Sequence, residues 1–281
     1  MVPYCDLHTH SIYSDGSLPP EQLIHIARQT GLGAIALTDH NTVAGLADFV
    51  AAGHMSDVDA VPGIEISSEF MDNELHIVGL FVQPEHYAPI QALLDEMLHR
   101  KERSNRDLVQ RLREAGFDLD YDVISAATPN GQINRAHVAN AMVRAGYCTD
   151  TAQAFRAFLS PKCGYYVPPQ RLFATDVIRF LRELGIVSIL AHPFLSLKED
   201  ELNLFLPLAK EAGLVGMETL YARFTPEQTK LAQELANTWG LLPSGGSDFH
   251  GEAKPDISIG IGCGDLQVPM AYLWALRDHI R

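Results

Sequence analysis

The chain has 281 residues, 47% of them hydrophobic, and a formal charge of -14, which argues against a broad nucleic-acid-binding surface. No apolar run approaches the roughly 20 residues that cross a bilayer, and His8, His10 and Asp15 fall where a signal peptide would carry its apolar stretch. Cys5, Cys148, Cys163 and Cys263 form no Cys-x-x-Cys, so neither a zinc knuckle nor a disulfide scaffold is expected, and a reducing cytoplasm is the simplest home.

Tyr4 to His8 reads as a strand running into His8-Thr9-His10 and then Ser14-Asp15-Gly16. Residues two apart in a strand share a face, so His8 and His10 offer two imidazoles to one ion; alone, the pair also suits a solvated strand end. Pro19-Pro20-Glu21 opens a helix that Gly31 stops. Gly33 to Thr38 is a strand ending in Asp39-His40-Asn41, followed by a helix from about 42 to 53. Ala60 to Ser67 and Leu75 to Phe81 are strands carrying Glu65 and His76, and Ile186 to Ala191 runs into His192-Pro193. Leu214 to Leu220 is a strand, 226 to 239 a helix, and Leu241 to Gly246 leads into Ser247-Asp248-Phe249-His250. A helix from Met270 to Ile280 closes the chain.

Strands that alternate with helices and are apolar throughout predict a parallel sheet covered on both faces, here an α/β fold of seven strands. If the strands close into a barrel, His8, His10, Asp15, His40, Glu65, His76, His192, Asp248 and His250 project into one mouth at the carboxyl ends. Six imidazoles and three carboxylates suit Zn²⁺, Mn²⁺ or Fe²⁺ and are poor for Cu(I) or Ca²⁺. With shared ligands, three divalent ions would account for nine residues. His25, His54, His86, His99 and His279 lie in or beside predicted helices and are set aside.

Between the fourth and fifth strands about 100 residues break the alternation. Ile90 to Leu98, Asn105 to Glu114 and Ala136 to Ala145 show helical spacing, punctuated by Asn130-Gly131 and Pro168-Pro169. The expected division is a barrel from 1–98 and 172–281 and a mainly helical insertion, a lid, from 99–171. Residues 99–171 carry 11 basic and 7 acidic residues, a net of +4, and the rest 10 and 28, a net of -18. A positive insertion beside an acidic body fits a small anionic substrate.

The motifs His8-Thr9-His10, Thr38-Asp39-His40-Asn41, Gly63-Ile64-Glu65, Leu75-His76-Ile77-Val78-Gly79, Ala191-His192-Pro193 and Gly246-Ser247-Asp248-Phe249-His250 together resemble the signature of the PHP family, named for polymerases and histidinol phosphatases. The resemblance implies a distorted seven-stranded β/α barrel with a trinuclear metal centre. It implies one ion on His8, His10, Glu65 and Asp248, a second on His76 and His192 with Glu65 bridging, and a third on Asp15, His40 and His250.

Asn134-Arg135-Ala136-His137-Val138-Ala139 and Gly164-Tyr165-Tyr166-Val167-Pro168-Pro169-Gln170 resemble the insertion of phosphoesterases that act on nucleoside 3',5'-bisphosphates such as pAp and on 5'-phosphorylated ends of short RNA. Arg135 could hold a phosphate by two parallel hydrogen bonds, with His137 adding a donor. The subgroup pattern Gly-Lys-Pro-Gly-Tyr-Val reads here Lys162-Cys163-Gly164-Tyr165-Tyr166-Val167, so Lys162 is shifted by one as a phosphate contact. Arg223, after the sixth strand, is a second candidate grip; a surface role suits it equally.

Two divalent ions sharing a water would yield a hydroxide near neutral pH, with the ions and an arginine neutralising charge on the phosphoryl oxygens. His192, His137 or a metal-bound water would protonate the leaving oxygen. Two other activities compete. Histidinol phosphate phosphatase shares the metal site and would want an acidic pocket for its amine. A barrel amidohydrolase, acting on a C–N bond, also begins with His-x-His, but commonly uses a modified lysine after the fourth strand, and no lysine precedes Arg100. The expected partner is a small phosphorylated nucleotide or short oligonucleotide, with neither membrane nor obligate protein partner.

Overall fold

The computed structural model describes residues 4–128 and 133–280; the expected turn at Asn130-Gly131 lies outside them. The strands are β1 Tyr4–Asp6, β2 Ala34–Leu37, β3 Asp59–Phe70, β4 Asn73–Leu80, β5 Val187–Leu190, β6 Gly216–Tyr221, β7 Leu242–Gly246 and β8 Val268–Pro269. The helices are α1 Pro20–Thr30, α2 Leu46–His54, α3 Tyr87–Glu114, α4 Tyr121–Ala126, α5 Arg135–Arg144, α6 Thr151–Ala154, α7 Ala174–Glu183, α8 Pro193–Ser196, α9 Glu199–Ala212, α10 Pro226–Thr238 and α11 Met270–Asp278. Among the described residues, no helix is long and apolar enough to cross a membrane. Two compact units emerge, Met1–Gln91 with Leu172–Arg281, and Ala92–Arg171.

In the first unit the eight strands form one sheet in the order β7-β6-β5-β4-β3-β2-β1-β8. Its ends meet: Leu7 N donates to Gly245 O at 3.1 Å and Asp248 N to His8 O at 2.8 Å, curling the sheet into a nearly closed, distorted barrel. The two-residue β8, antiparallel to β1, is an eighth strand beyond the seven expected.

A parallel sheet throughout was the wrong expectation. β3 pairs antiparallel with β4, from Gly63 opposite Leu80 to Phe70 opposite Asn73, and β4 pairs antiparallel with β5. Met71 and Asp72 join β3 to β4 with φ of 50° and 65°, the pair of left-handed residues that a type I′ hairpin turn requires. Parallel neighbours need a crossover of a dozen or more residues, and two cannot supply it. The reversal places the start of β4 beside the carboxyl ends of its antiparallel neighbours β3 and β5, so His76 near its start and Glu65 on β3 reach the same mouth.

Inside the barrel, Leu7, Ala36, Val61, Leu80, Val187 and Ile189 pack with Val268 and Leu273. Helices cover the outside, with Pro20 opening α1 and Gly31 closing it at φ 79°.

The second unit has its own core of Leu108, Leu112, Ile124, Val138, Met142 and Leu159. Two separate helices were expected across residues 90–114; α3 is one helix of 28 residues. No glycine or proline interrupts 98–105, and Glu96–Arg100 and Glu102–Arg106 ion pairs at i,i+4 spacing span the expected gap. Its short helices are capped by side chains: Asp120 accepts from Asp122 N and Val123 N, Asn134 from His137 N, and Asp150 from Gln153 N.

Candidate metal centre

Glu65 stands at the focus of the barrel mouth. Its Oε1 lies 3.0 Å from Nδ1 of His76 and 3.0 Å from Nε2 of His192. Its Oε2 lies 2.9 Å from Nδ1 of His40 and 3.3 Å from Nε2 of both His8 and His10. Asp248 Oδ1 extends the cluster, 3.2 Å from Nε2 of His10, 3.7 Å from Nε2 of His8 and 3.4 Å from Nδ1 of His250. Asp15 closes it, 3.2 Å from Nε2 of His250 and 3.9 Å from His10 and His40. All nine residues singled out in the sequence therefore meet in one patch.

The backbone pays for this convergence. His192 and Asp248 have φ of 26° and 56°, positive values that cost non-glycine residues and persist only where neighbours enforce them. Glu218, buried on β6, is one enforcer: Oε2 accepts from His192 N at 2.6 Å, and Oε1 lies 2.8 Å from Nδ1 of His8. At Asp248, Tyr221 Oη and Lys254 Nζ both donate to Oδ2, at 2.8 and 2.6 Å, leaving Oδ1 toward the histidines. Asp6 accepts from Ser247 N and Gly260 N, and Asp39 accepts from Ser11 and Ser14, beside Asp15. Glu218, Tyr221, Lys254 and Asp6 did not stand out as functional in the sequence, and Asp39 appeared there only as a motif neighbour of His40. Glu218 was visible at the end of a predicted strand, and a ligand imidazole commonly turns its second nitrogen to a carboxylate.

The chemistry of the cluster fits divalent metal. His8 Nε2, both ring nitrogens of His10, Glu65 Oε2, His76 Nδ1 and His192 Nδ1 are buried without a hydrogen-bond partner, each an arrangement that costs stability unless another partner binds. Their atoms group so that each set could hold an ion: His8, His10 and Glu65; His40, Glu65 and His76; and His10, Asp15, His40 and His250. These sets overlap the expected ligand sets without reproducing them, since the first lacks Asp248, the second pairs His76 with His40 instead of His192, and the third adds His10.

Electrostatics separate the members. Burial opposes charge on His8, but Glu65, Glu218 and Asp248 around it push its pKa well above the ordinary histidine value. Burial drives His10 down to about 3, leaving it a neutral donor. Burial likewise opposes charge on His76, where the nearby carboxylates of Glu65 and Glu74 prevail and raise it to about 9. Against its burial, the surrounding histidines, His8 foremost, hold the Glu65 carboxyl well below the usual range.

Of the expected substrate contacts, three belong to the insertion and one to the barrel unit. Arg135 and His137 open α5 in the insertion, and Lys162 is exposed there. The Arg135 guanidinium lies 4.4 Å from the centroid of the Tyr166 ring and donates to Leu159 O at 3.4 Å. His137 Nδ1 accepts from Asn134 N at 3.1 Å. Arg223, in the barrel unit, pairs with Asp256 at 2.8 Å.

Six imidazoles and three carboxylates at the mouth of an α/β barrel define a metal-dependent hydrolase. The chain belongs to the PHP domain family, whose sequence pattern matches residues 6–160. It is 31% identical over 260 residues to the 5'-3' exoribonuclease Rnm of Escherichia coli, covering 91% of this chain and 87% of that one. It is 30% identical over 256 residues to a 3',5'-nucleoside bisphosphate phosphatase of Chromobacterium violaceum, covering 90% of each. A structure from Bifidobacterium adolescentis described as a metal-dependent phosphoesterase superposes with a TM-score of 0.67 at 27% identity, over 97% of this chain and 94% of that one.

Proposed function

We propose that this chain is a metal-dependent phosphoesterase of nucleotides that hydrolyses nucleoside 3',5'-bisphosphates or the 5'-phosphorylated ends of short RNA. The carrying observation is the set of buried, unpartnered imidazole and carboxylate atoms around Glu65, in a chain whose relatives are named for both substrates.

Three divalent ions, Mn²⁺, Zn²⁺ or Fe²⁺, account for the donors: one on His8, His10, Glu65 and Asp248, one on His76, His192 and Glu65, one on Asp15, His40 and His250. When bound they supply Lewis acidity at the phosphoryl oxygens and an activated water. The chain's own groups set the stage for that. Glu218 fixes the tautomer of His8 and ties down His192, and Tyr221 with Lys254 turns one oxygen of Asp248 toward the site.

Arg135 is the phosphate grip of this reading. Among the described residues it rests on the Tyr166 and Phe155 rings and makes one side-chain hydrogen bond, to Leu159 O, which suits a guanidinium that gives two parallel bonds to a phosphate. Because His137 Nδ1 accepts a backbone hydrogen bond, its proton sits on Nε2, available to a phosphate or leaving oxygen. Lys162 is exposed and adds long-range attraction, whereas the ion pair of Arg223 with Asp256 makes it the weaker candidate. His192, against Glu65, is the other candidate for the leaving-group proton. The four free cysteines suit a reducing cytoplasm.

The test is product release by the Mn²⁺-loaded protein from pAp, a 5'-phosphorylated short RNA and histidinol phosphate, assayed side by side. Turnover of either nucleotide substrate well above histidinol phosphate is expected, and preference for histidinol phosphate overturns the substrate assignment.

A further inference from the structure

Four aromatic rings follow one another outward from the centre at the carboxyl ends of β5 and β6. His192 meets Tyr221 edge-on with centroids 5.6 Å apart, Tyr221 meets Phe224 at 5.1 Å, and Phe224 meets Phe194 at 5.1 Å. The inner two are buried and hold polar bonds, His192 to Glu65 and the Tyr221 hydroxyl to Asp248. The outer two differ. Phe194 and Phe224 are half-buried, and neither belongs to the barrel core. They sit on the short segments that follow the site-bearing strands, Phe194 two residues after His192 and Phe224 three after Tyr221. Their rings are inclined at 59° to each other, so they form an angled apolar corner two rings away from a metal-site histidine.

The geometry points to a nucleobase subsite: Phe194 and Phe224 form an aromatic wall beside the metal centre on which the base of the substrate stacks. This rests on the phosphoester reading above and deepens it. Phosphate and ribose alone give such an enzyme nothing apolar to recognise, whereas a base has a flat π-face that half-covered phenylalanine rings fit. Stacking is tolerant of sequence, because every base offers that face. Cations would then hold the phosphate at the centre while neutral rings hold the base outside it, so recognition adds no charge that competes with the ions. Arg223, next in sequence to Phe224, is tied to Asp256 and leaves the wall to the two rings.

Adenosine 5'-monophosphate and ribose 5-phosphate share a phosphate and a ribose and differ by the base, so calorimetric affinities of the Mn²⁺-loaded full chain for both isolate the wall. The wild type should bind the nucleotide about tenfold more tightly. Phe224→Ala and Phe194→Ala should each bring that ratio toward one, and Phe224→Trp should keep it. Phe194 does the independent work here, since Phe224 also touches Tyr221, and metal content measured on every variant exposes any loss transmitted through Asp248. Equal affinities in the wild type, or a ratio unchanged in both alanine variants, overturns the subsite. Phosphate release from a 3',5'-bisphosphate decides the reaction separately: turnover with a ratio of one removes the wall and leaves the phosphoester reading, and a tenfold ratio without turnover does the reverse.

Discussion

The barrel unit and the insertion treat their polar side chains in opposite ways. In the barrel, His8, His10 and Glu65 are wholly buried yet leave ring and carboxylate atoms without partners. In the insertion the chain satisfies its own groups: Asp120, Asn134 and Asp150 cap helices, Arg106 lies 4.0 Å over the Tyr121 ring, and Arg135 rests on Tyr166. An unsatisfied buried donor or acceptor costs about 1–3 kcal/mol, so a fold keeps a cluster of them only for something that binds. A cluster of buried groups without partners therefore marks the centre, which an isolated one such as Trp239 Nε1 does not, and charge alone does not mark a substrate contact.

Removing the cluster's focus breaks this contrast most severely. Glu65→Ala and His10→Ala should lose bound metal and nearly all turnover; metal content and turnover surviving His10→Ala contradicts the site. A smaller loss is expected one step out. Glu218→Gln removes the carboxylate behind His8 and should weaken metal binding by about 10- to 100-fold, read by chelator competition, with the fold intact by circular dichroism.

Protons compete for the same donors. In the metal-free centre Glu65 and Glu74 hold His76 up to about 9 despite its burial, so below that pH an incoming ion must displace a proton. Metal affinity should climb with pH, by up to about tenfold per unit for each proton displaced, and His8, which its carboxylate neighbours hold well above the ordinary histidine value, adds to the slope. His10, already neutral above about 3, adds nothing to this slope. Equal affinity at pH 6.5 and pH 8.5 speaks against His76 as a ligand.

In the insertion the effects shrink and change kind. Arg135→Ala should raise KM for a nucleotide bisphosphate about tenfold while leaving metal content unchanged, and an unchanged KM returns Arg135 to a purely structural part. Least of all, Asp150→Ala removes the cap of α6 and should cost about 1 kcal/mol of stability, visible as a lower Tm with metal binding untouched.

Most of the nine candidate ligands were legible because they fall at or just past the ends of predicted strands, whereas Asp15, nine residues beyond β1, stood out only through Ser14-Asp15-Gly16, and Glu65 lies within the longer β3. Direction was harder to read. The hairpin at Met71-Asp72 lacks the usual Asn-Gly signal, although the spacing from Ser67 to Leu75 already left no room for a crossover helix. The continuity of α3 was missed because apolar spacing lapses between Leu98 and Asn105, where ion pairs carry the helix. Glu218, Tyr221 and Lys254 act through other side chains, and which carboxylate or hydroxyl will stand behind a given histidine depends on strand pairing that sequence period does not encode. Phe194 and Phe224 had no signal at all, since two aromatic residues 30 positions apart become a corner only when β5 lies beside β6.

The central claim is a centre of three ions, and counting metal per chain tests it most directly. Mn²⁺-loaded protein, freed of loosely bound ions by gel filtration and measured by plasma mass spectrometry against protein concentration, should hold about three ions per chain in the wild type and clearly fewer in His10→Ala. One ion or none in the wild type, or the same count in both proteins, contradicts the account.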